Sequence, residues 1–148
     1  MKKITILALA ISVIMTACSK DNEVKSKTDY LTNNAWQMKQ IIQQVGNNQS
    51  VYIKGGINTT GSDYSKTRLQ FNADGTGSFT DPLEDTYALS WSFAPNDESE
   101  INVIVDYPIP YHLLYTFVSL DEHNFVHTIN YNEQGNNVLA TAHYIPVQ

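Results

Sequence analysis

From residue 35 onward, apolar and polar positions alternate in short runs, each ended by a cluster of Asn, Asp, Gly or Pro. Tyr87, Leu89, Trp91 and Phe93 fall on one side of such a run, and Ala88, Ser90 and Ser92 on the other. Ile101, Val103 and Val105 alternate in the same way, with Ile104 as the exception, and so do Phe125, His127, Ile129 and Tyr131. A period of two is the signature of a strand with one buried face. The pattern predicts strands at 35–45, 50–54, 66–72, 76–80, 87–94, 100–106, 112–120, 124–132 and 138–145. A short turn of helix, capped by Thr28 or Asp29, is expected ahead of them at 28–34. Eight or nine short strands joined by brief polar turns predict an all-β fold with neighbours paired antiparallel. The expected architecture is a single up-and-down β-barrel of about eight strands, with a β-sandwich as the alternative.

The last two runs can be set in register. Pairing Tyr131 with Val138 places Ile129 opposite Ala140, His127 opposite Ala142 and Phe125 opposite Tyr144, around a loop at 132–137. A slip of one residue would turn one strand's apolar set to the other face, so this register is favoured. Asp74-Gly75, between Phe71 and Phe79, reads as a hairpin turn.

Three stretches carry a family resemblance. They are Asn34-Ala35-Trp36-Gln37-Met38, the hairpin from Leu69 to Phe79 through Asn72-Ala73-Asp74-Gly75-Thr76, and Trp91 two strands later. Together they resemble the small lipocalin-like domains of bacterial lipoproteins, over roughly residues 30–146. Asn34 stands where lipocalins proper carry the Gly of Gly-x-Trp. The resemblance implies a barrel that holds a small ligand, and a domain covering 30–148.

The first residues have a different character. Lys2 and Lys3 precede an apolar run from Ile4 to Met15, followed by Thr16-Ala17-Cys18. A basic start, a short apolar stretch and small residues before the cut define an export signal, and the run is too short to span a bilayer as a helix. An exported chain with one cysteine has no internal disulfide to form. The step into Cys18 resembles the lipobox of bacterial lipoproteins, which implies a signal peptide at 1–17, acylation of Cys18 and a membrane partner through that anchor. Residues 18–29 are polar and charged and read as a tether. Ser19-Lys20-Asp21-Asn22-Glu23 resembles a short tag that sends lipoproteins to the outer surface. The expected location is therefore lipid-anchored in the outer membrane at the cell surface, with a periplasm-facing anchor as the alternative.

Charge narrows the partners. The chain has 9 Lys and Arg against 15 Asp and Glu, and removing Lys2 and Lys3 leaves 7 against 15, a net charge of −8. Arg68 is the last basic residue, and the remaining 80 positions carry 11 carboxylates. Binding to nucleic acid rests on Lys and Arg neutralising phosphates, so that class of partner is excluded.

Candidate chemistry is sparse. No Gly-x-Ser-x-Gly elbow occurs, and the inward sets contain no carboxylate pair, so no enzyme is expected and no catalytic residue is assigned. Asn72 to Thr76 lacks an acid at the first ligand position of a calcium loop, where Gln70 stands, and reads as a turn. The clusters at 81–85 and 96–100 read as solvated loops, with weak calcium binding as the minor reading. The four histidines lack zinc-ligand spacing. No metal or cofactor is expected. What remains is an aromatic interior. A filled barrel is the first expectation; if a ligand is held, Trp36, Trp91, Tyr115 and Tyr131 would line the site, with His127 as its polar group. Tyr107, Ile109 and Tyr111, in a segment that two prolines keep out of a regular strand, form a candidate contact loop. The expected role is a non-catalytic binding module for a small apolar or amphipathic molecule or a glycan. The alternative is an interaction or assembly subunit of an envelope protein complex.

Overall fold

A computed structural model describes residues 24–95, 97–133 and 135–147. The signal peptide expected at 1–17, Cys18 and the tag expected at 19–23 lie outside the described residues. The chain opens with helix α1 (Lys27–Thr32) and continues through strands β1 (Ala35–Val45), β2 (Asn48–Ile53), β3 (Arg68–Phe71), β4 (Thr76–Thr80) and β5 (Thr86–Ala94). It ends with β6 (Asp97–Val105), β7 (Tyr111–Leu120), β8 (Phe125–Glu133) and β9 (Asn136–Pro146). A single 3-10 turn, Tyr64–Lys66, precedes β3.

From β3 to β9 each strand pairs antiparallel with the next, and β9 returns to pair with β1 from Pro146 against Trp36 to Val138 against Val45. β1 and β3 pair through 35–37, so eight strands close into a barrel. Closure removes the free edges that a sandwich would leave. β2 is the extra strand. It pairs with β1 through 40–45, on the edge that β3 uses at 35–37, so the two share one side of β1 at different heights.

The β8–β9 register is the one expected from the apolar pattern, with Tyr131, Ile129, His127 and Phe125 opposite Val138, Ala140, Ala142 and Tyr144. The ladder runs on to Glu133 against Asn136, so the loop is tighter than the 132–137 expected. Gly135, at φ 84°, takes the left-handed turn position that glycine tolerates. Asp74-Gly75 joins β3 to β4, and the Asp74 carboxylate accepts from the backbone N–H and the hydroxyl of Thr76.

The helix differs from expectation in its cap. Ser26, not Thr28 or Asp29, is the N-cap: its hydroxyl accepts from the Asp29 N–H, and the Asp29 carboxylate accepts from the Ser26 N–H. Six residues are too few to hold a helix alone. Leu31, fully buried, anchors it, and its carbonyl accepts from Trp36 Nε1 at 2.9 Å. α1 lies across one end of the barrel against β3 and β7. Beneath it Trp36, Phe71, Phe117 and Phe125 meet edge to face, and Leu69 and Ile101 fill the remaining space. This end is a packed core. Each such side chain contributes about 1.5–3 kcal/mol by leaving water.

Candidate functional site

The other half of the barrel is open. A cavity of about 500 Å³ begins at the level of Met38, Tyr115 and Tyr144 and continues to the rim. Eight-stranded barrels have room to be filled or to hold one small ligand, and this one does each in a different half. The expected filled interior is therefore corrected for the rim half. The paired residues give the reason. Near the plug, Phe125 faces Tyr144, two large side chains; further along, His127 and Ile129 face Ala142 and Ala140, which leave space between the walls.

β1 supplies Met38, Ile41 and Gln43 to the wall, and β4 supplies Phe79. β7 supplies Leu113 and Tyr115, β8 supplies His127, Ile129 and Tyr131, and β9 supplies Ala142 and Tyr144. Tyr64 and Thr67 enter from the 3-10 turn before β3. The mouth is framed by Pro82, Tyr107, Tyr111, Asn132 and Glu133, which belong to the β4–β5, β6–β7 and β8–β9 connections or their edges. Glu133 is the one charged side chain among the described lining residues.

Of the residues proposed from sequence, Tyr115, His127 and Tyr131 line this cavity together. Trp36 and Trp91 do not. Both point inward as the alternation required, but at the plugged end. Trp91 packs edge to face on Phe71 and Phe93, and its indole N–H donates to the Asn72 carbonyl at 3.0 Å. It is a core residue. Tyr107 and Tyr111 contribute to the cavity rim, whereas Ile109, 77% exposed, stands clear of it. Tyr107 stacks against Tyr87 and its hydroxyl lies 3.4 Å from Asp81 Oδ2, which fixes the base of the loop. Tyr64, Tyr144, Phe79 and Leu113 were not singled out from sequence. The two small β9 residues, Ala140 and Ala142, opposite Ile129 and His127, are the signal that could have found this level of the barrel.

His127 is the unusual group. Its ring stacks on Tyr115 at 4.0 Å with planes 7° apart, and lies near-parallel to Tyr144. It is 1% exposed, and neither ring nitrogen has a hydrogen-bond partner among the described residues. Burial pulls its pKa down to about 3, so the imidazole is neutral across the physiological range. The Tyr131 hydroxyl, further along the same strand, accepts from Gln43 Nε2 at 3.1 Å. The Thr67 hydroxyl is likewise buried without a partner among the described residues. Burial pushes the Tyr144 phenol well above its ordinary value, and the nearby hydroxyls of Tyr115 and Tyr64 add to it. Burial raises Tyr115 as well, and Tyr131 is raised by burial and then by Glu133. The walls are thus aromatic and apolar, carrying neutral hydroxyls.

A second concavity, about 520 Å³, lies outside the barrel at its plugged end among Lys25, Tyr30, Asn33, Glu122 and His123. The Lys25–Glu122 ion pair lies among its walls, and the barrel's interior aromatics take no part in it. Among the described residues no group of three or more His, Cys, Asp or Glu is placed to hold a metal ion. The loop carboxylates serve turns instead: Asp81 accepts from the Leu83 and Asp85 N–H groups, and Asp97 from that of Ser99. No described helix is long and apolar enough to cross a membrane.

The sequence matches no protein-family model, and a search of curated proteins returns no match. A closed antiparallel barrel, plugged by a helix at one end and hollow at the other, is what fold and site together define.

Proposed function

We propose that this domain is a non-catalytic binding module that takes a small apolar or amphipathic molecule into the hollow half of its barrel. The observation that carries this reading is the cavity itself. At about 500 Å³ it lies within the range of small-molecule sites, which are mostly apolar with a few polar groups. The resemblance to lipocalin-like lipoproteins points the same way; the lipobox-like step into Cys18 supports an acyl anchor, and the Ser19–Glu23 tag supports an outer-membrane location at the cell surface, with a periplasm-facing anchor as the alternative. Hydrolysis of a glycosidic bond needs two carboxylates flanking one site, and the described cavity wall offers Glu133 alone.

Binding of the fluorescent apolar probe N-phenylnaphthylamine tests the reading, with wild type compared to Ile129→Trp. Ile129 is half-buried and faces the cavity, so an indole there fills the space without entering the packed end. The expected result is saturable probe binding that is lost in the variant while its far-ultraviolet dichroism is retained. Probe binding that survives Ile129→Trp in a folded protein, or no binding of the probe to wild type, would sink the proposal.

A second reading keeps one specific support. Ile109 is exposed at the tip of a loop whose base is held by Tyr107, and such a residue suits contact with an envelope protein. Ile109→Asp should then release a partner without altering probe binding.

A further inference from the structure

We propose that the cavity selects by charge: it accepts uncharged amphiphiles bearing a hydroxyl or similar neutral head and rejects their carboxylate counterparts. The inference rests on the cavity being a ligand site and adds which molecules it takes.

An anion brought into an apolar cavity loses its hydration and needs a cation in return. None of the described lining residues is Lys or Arg, and none occurs anywhere in the chain after Arg68. The nearest candidates are turned to other uses. Lys66 lies outside the mouth and pairs with Glu84 at 3.1 Å, Lys54 donates to Gln37 Oε1, and Lys39 and Arg68 are exposed on the outer surface. His127, the remaining candidate, is stacked between aromatic rings and held neutral by burial. The mouth itself is acidic. Glu133 lies on it, and Asp81, Asp85 and Asp106 occupy the adjoining connections. An approaching carboxylate therefore meets negative charge first and an uncompensated apolar interior second.

A neutral head group meets different conditions. The Tyr64, Tyr115 and Tyr144 phenols line the cavity, the first two near enough to Tyr144 to add to the rise that burial gives it. Each hydroxyl can donate and accept, which suits an alcohol, amide or ester. Aromatic faces and the side chains of Met38, Ile41, Leu113 and Ile129 cover an aliphatic body.

The test is displacement of N-phenylnaphthylamine from the wild-type protein by decanol, methyl decanoate and ionised decanoate, at neutral pH and below the micellar range. Decanol and methyl decanoate should displace it, and decanoate should be weaker by about 100-fold or more, the penalty of burying an unpaired charge. Tyr115→Phe should weaken decanol several-fold more than it weakens the probe, and an equal loss for both would show that the hydroxyl takes no part in recognising the head group. Decanoate equal to or better than decanol overturns charge selection while leaving cavity binding intact. Failure of the probe itself to bind overturns the cavity reading and this inference with it.

Discussion

Replacing His127 by Phe probes the buried imidazole directly. The wild-type ring leaves two nitrogens without protein partners inside the barrel, stacked on Tyr115. An unsatisfied buried polar group costs about 1–3 kcal/mol, and an apolar ring of similar shape removes that cost. His127→Phe should therefore stabilise the fold by about 1–2 kcal/mol at neutral pH. Its second effect depends on pH. The folded pKa is depressed to about 3 from 6.5, so the unfolded chain takes up a proton first as pH falls. The stability this group provides is complete above pH 6.5 and is lost as pH falls toward 3. Each pH unit inside that window is worth up to about 1.4 kcal/mol, and half that slope at pH 6.5 itself, hence about 1.6 kcal/mol between pH 6.5 and 5. The groups facing the ring are Tyr115, Phe125 and Tyr144, none of which titrates there. His143, also lowered by burial, is present in both proteins and cancels in the difference. Urea unfolding midpoints of wild type and variant across pH 7 to 4.5 measure both effects. Parallel pH curves, or a variant less stable by more than about 2 kcal/mol at neutrality, would show that the imidazole is solvated or bonded and would refute the argument.

Trp91→Ala should cost about 3–5 kcal/mol in chemical unfolding and leave probe affinity unchanged, because the indole belongs to the packed end. Gly77→Ala should lower the melting temperature sharply, since a Cβ there would lie 2.1 Å from the Gln70 carbonyl oxygen on the paired strand; a shift of only a degree or two would count against this packing. Cys18→Ala should move the protein from the detergent phase to the aqueous phase and remove an acyl mass; a wild type that carries no such mass ends the anchor proposal.

Parity was legible where apolar and polar residues alternate cleanly, and height within the barrel was not. Alternation alone turned His127 and Tyr131 inward, whereas Tyr115 sits in the run 113–118, apolar on both faces, where alternation does not fix parity; the β8–β9 pairing followed from matching apolar sets. The same reasoning turned Trp36 and Trp91 inward but carried no information on which end they occupy. That depends on how tilted strands stagger against one another and on where α1 sits, both set by contacts distant in sequence. The helix cap was misplaced by two or three residues because Thr28 and Asp29 have the same capping chemistry as Ser26. Only the reciprocal Ser26–Asp29 bonds decide between them. β2 was recognised as a strand. Its place beside β3 on one edge of β1 was not, because that edge is shared by two segments separated by the turn at Tyr64–Lys66.

The position of α1 carries a consequence for how a tethered barrel would be supplied. Lys25 pairs with Glu122 on the β7–β8 connection, so the chain leaves the barrel at its plugged end. An acyl group on Cys18 would stand seven residues from Lys25, a reach of at most about 25 Å. That end would then rest toward the lipid headgroups, and the tyrosine-framed mouth would point outward like a cup held by its base. Cargo would arrive from the surrounding medium, or by hand-over from a protein seated on Ile109 and its neighbours, and not by lateral escape from the leaflet that holds the anchor.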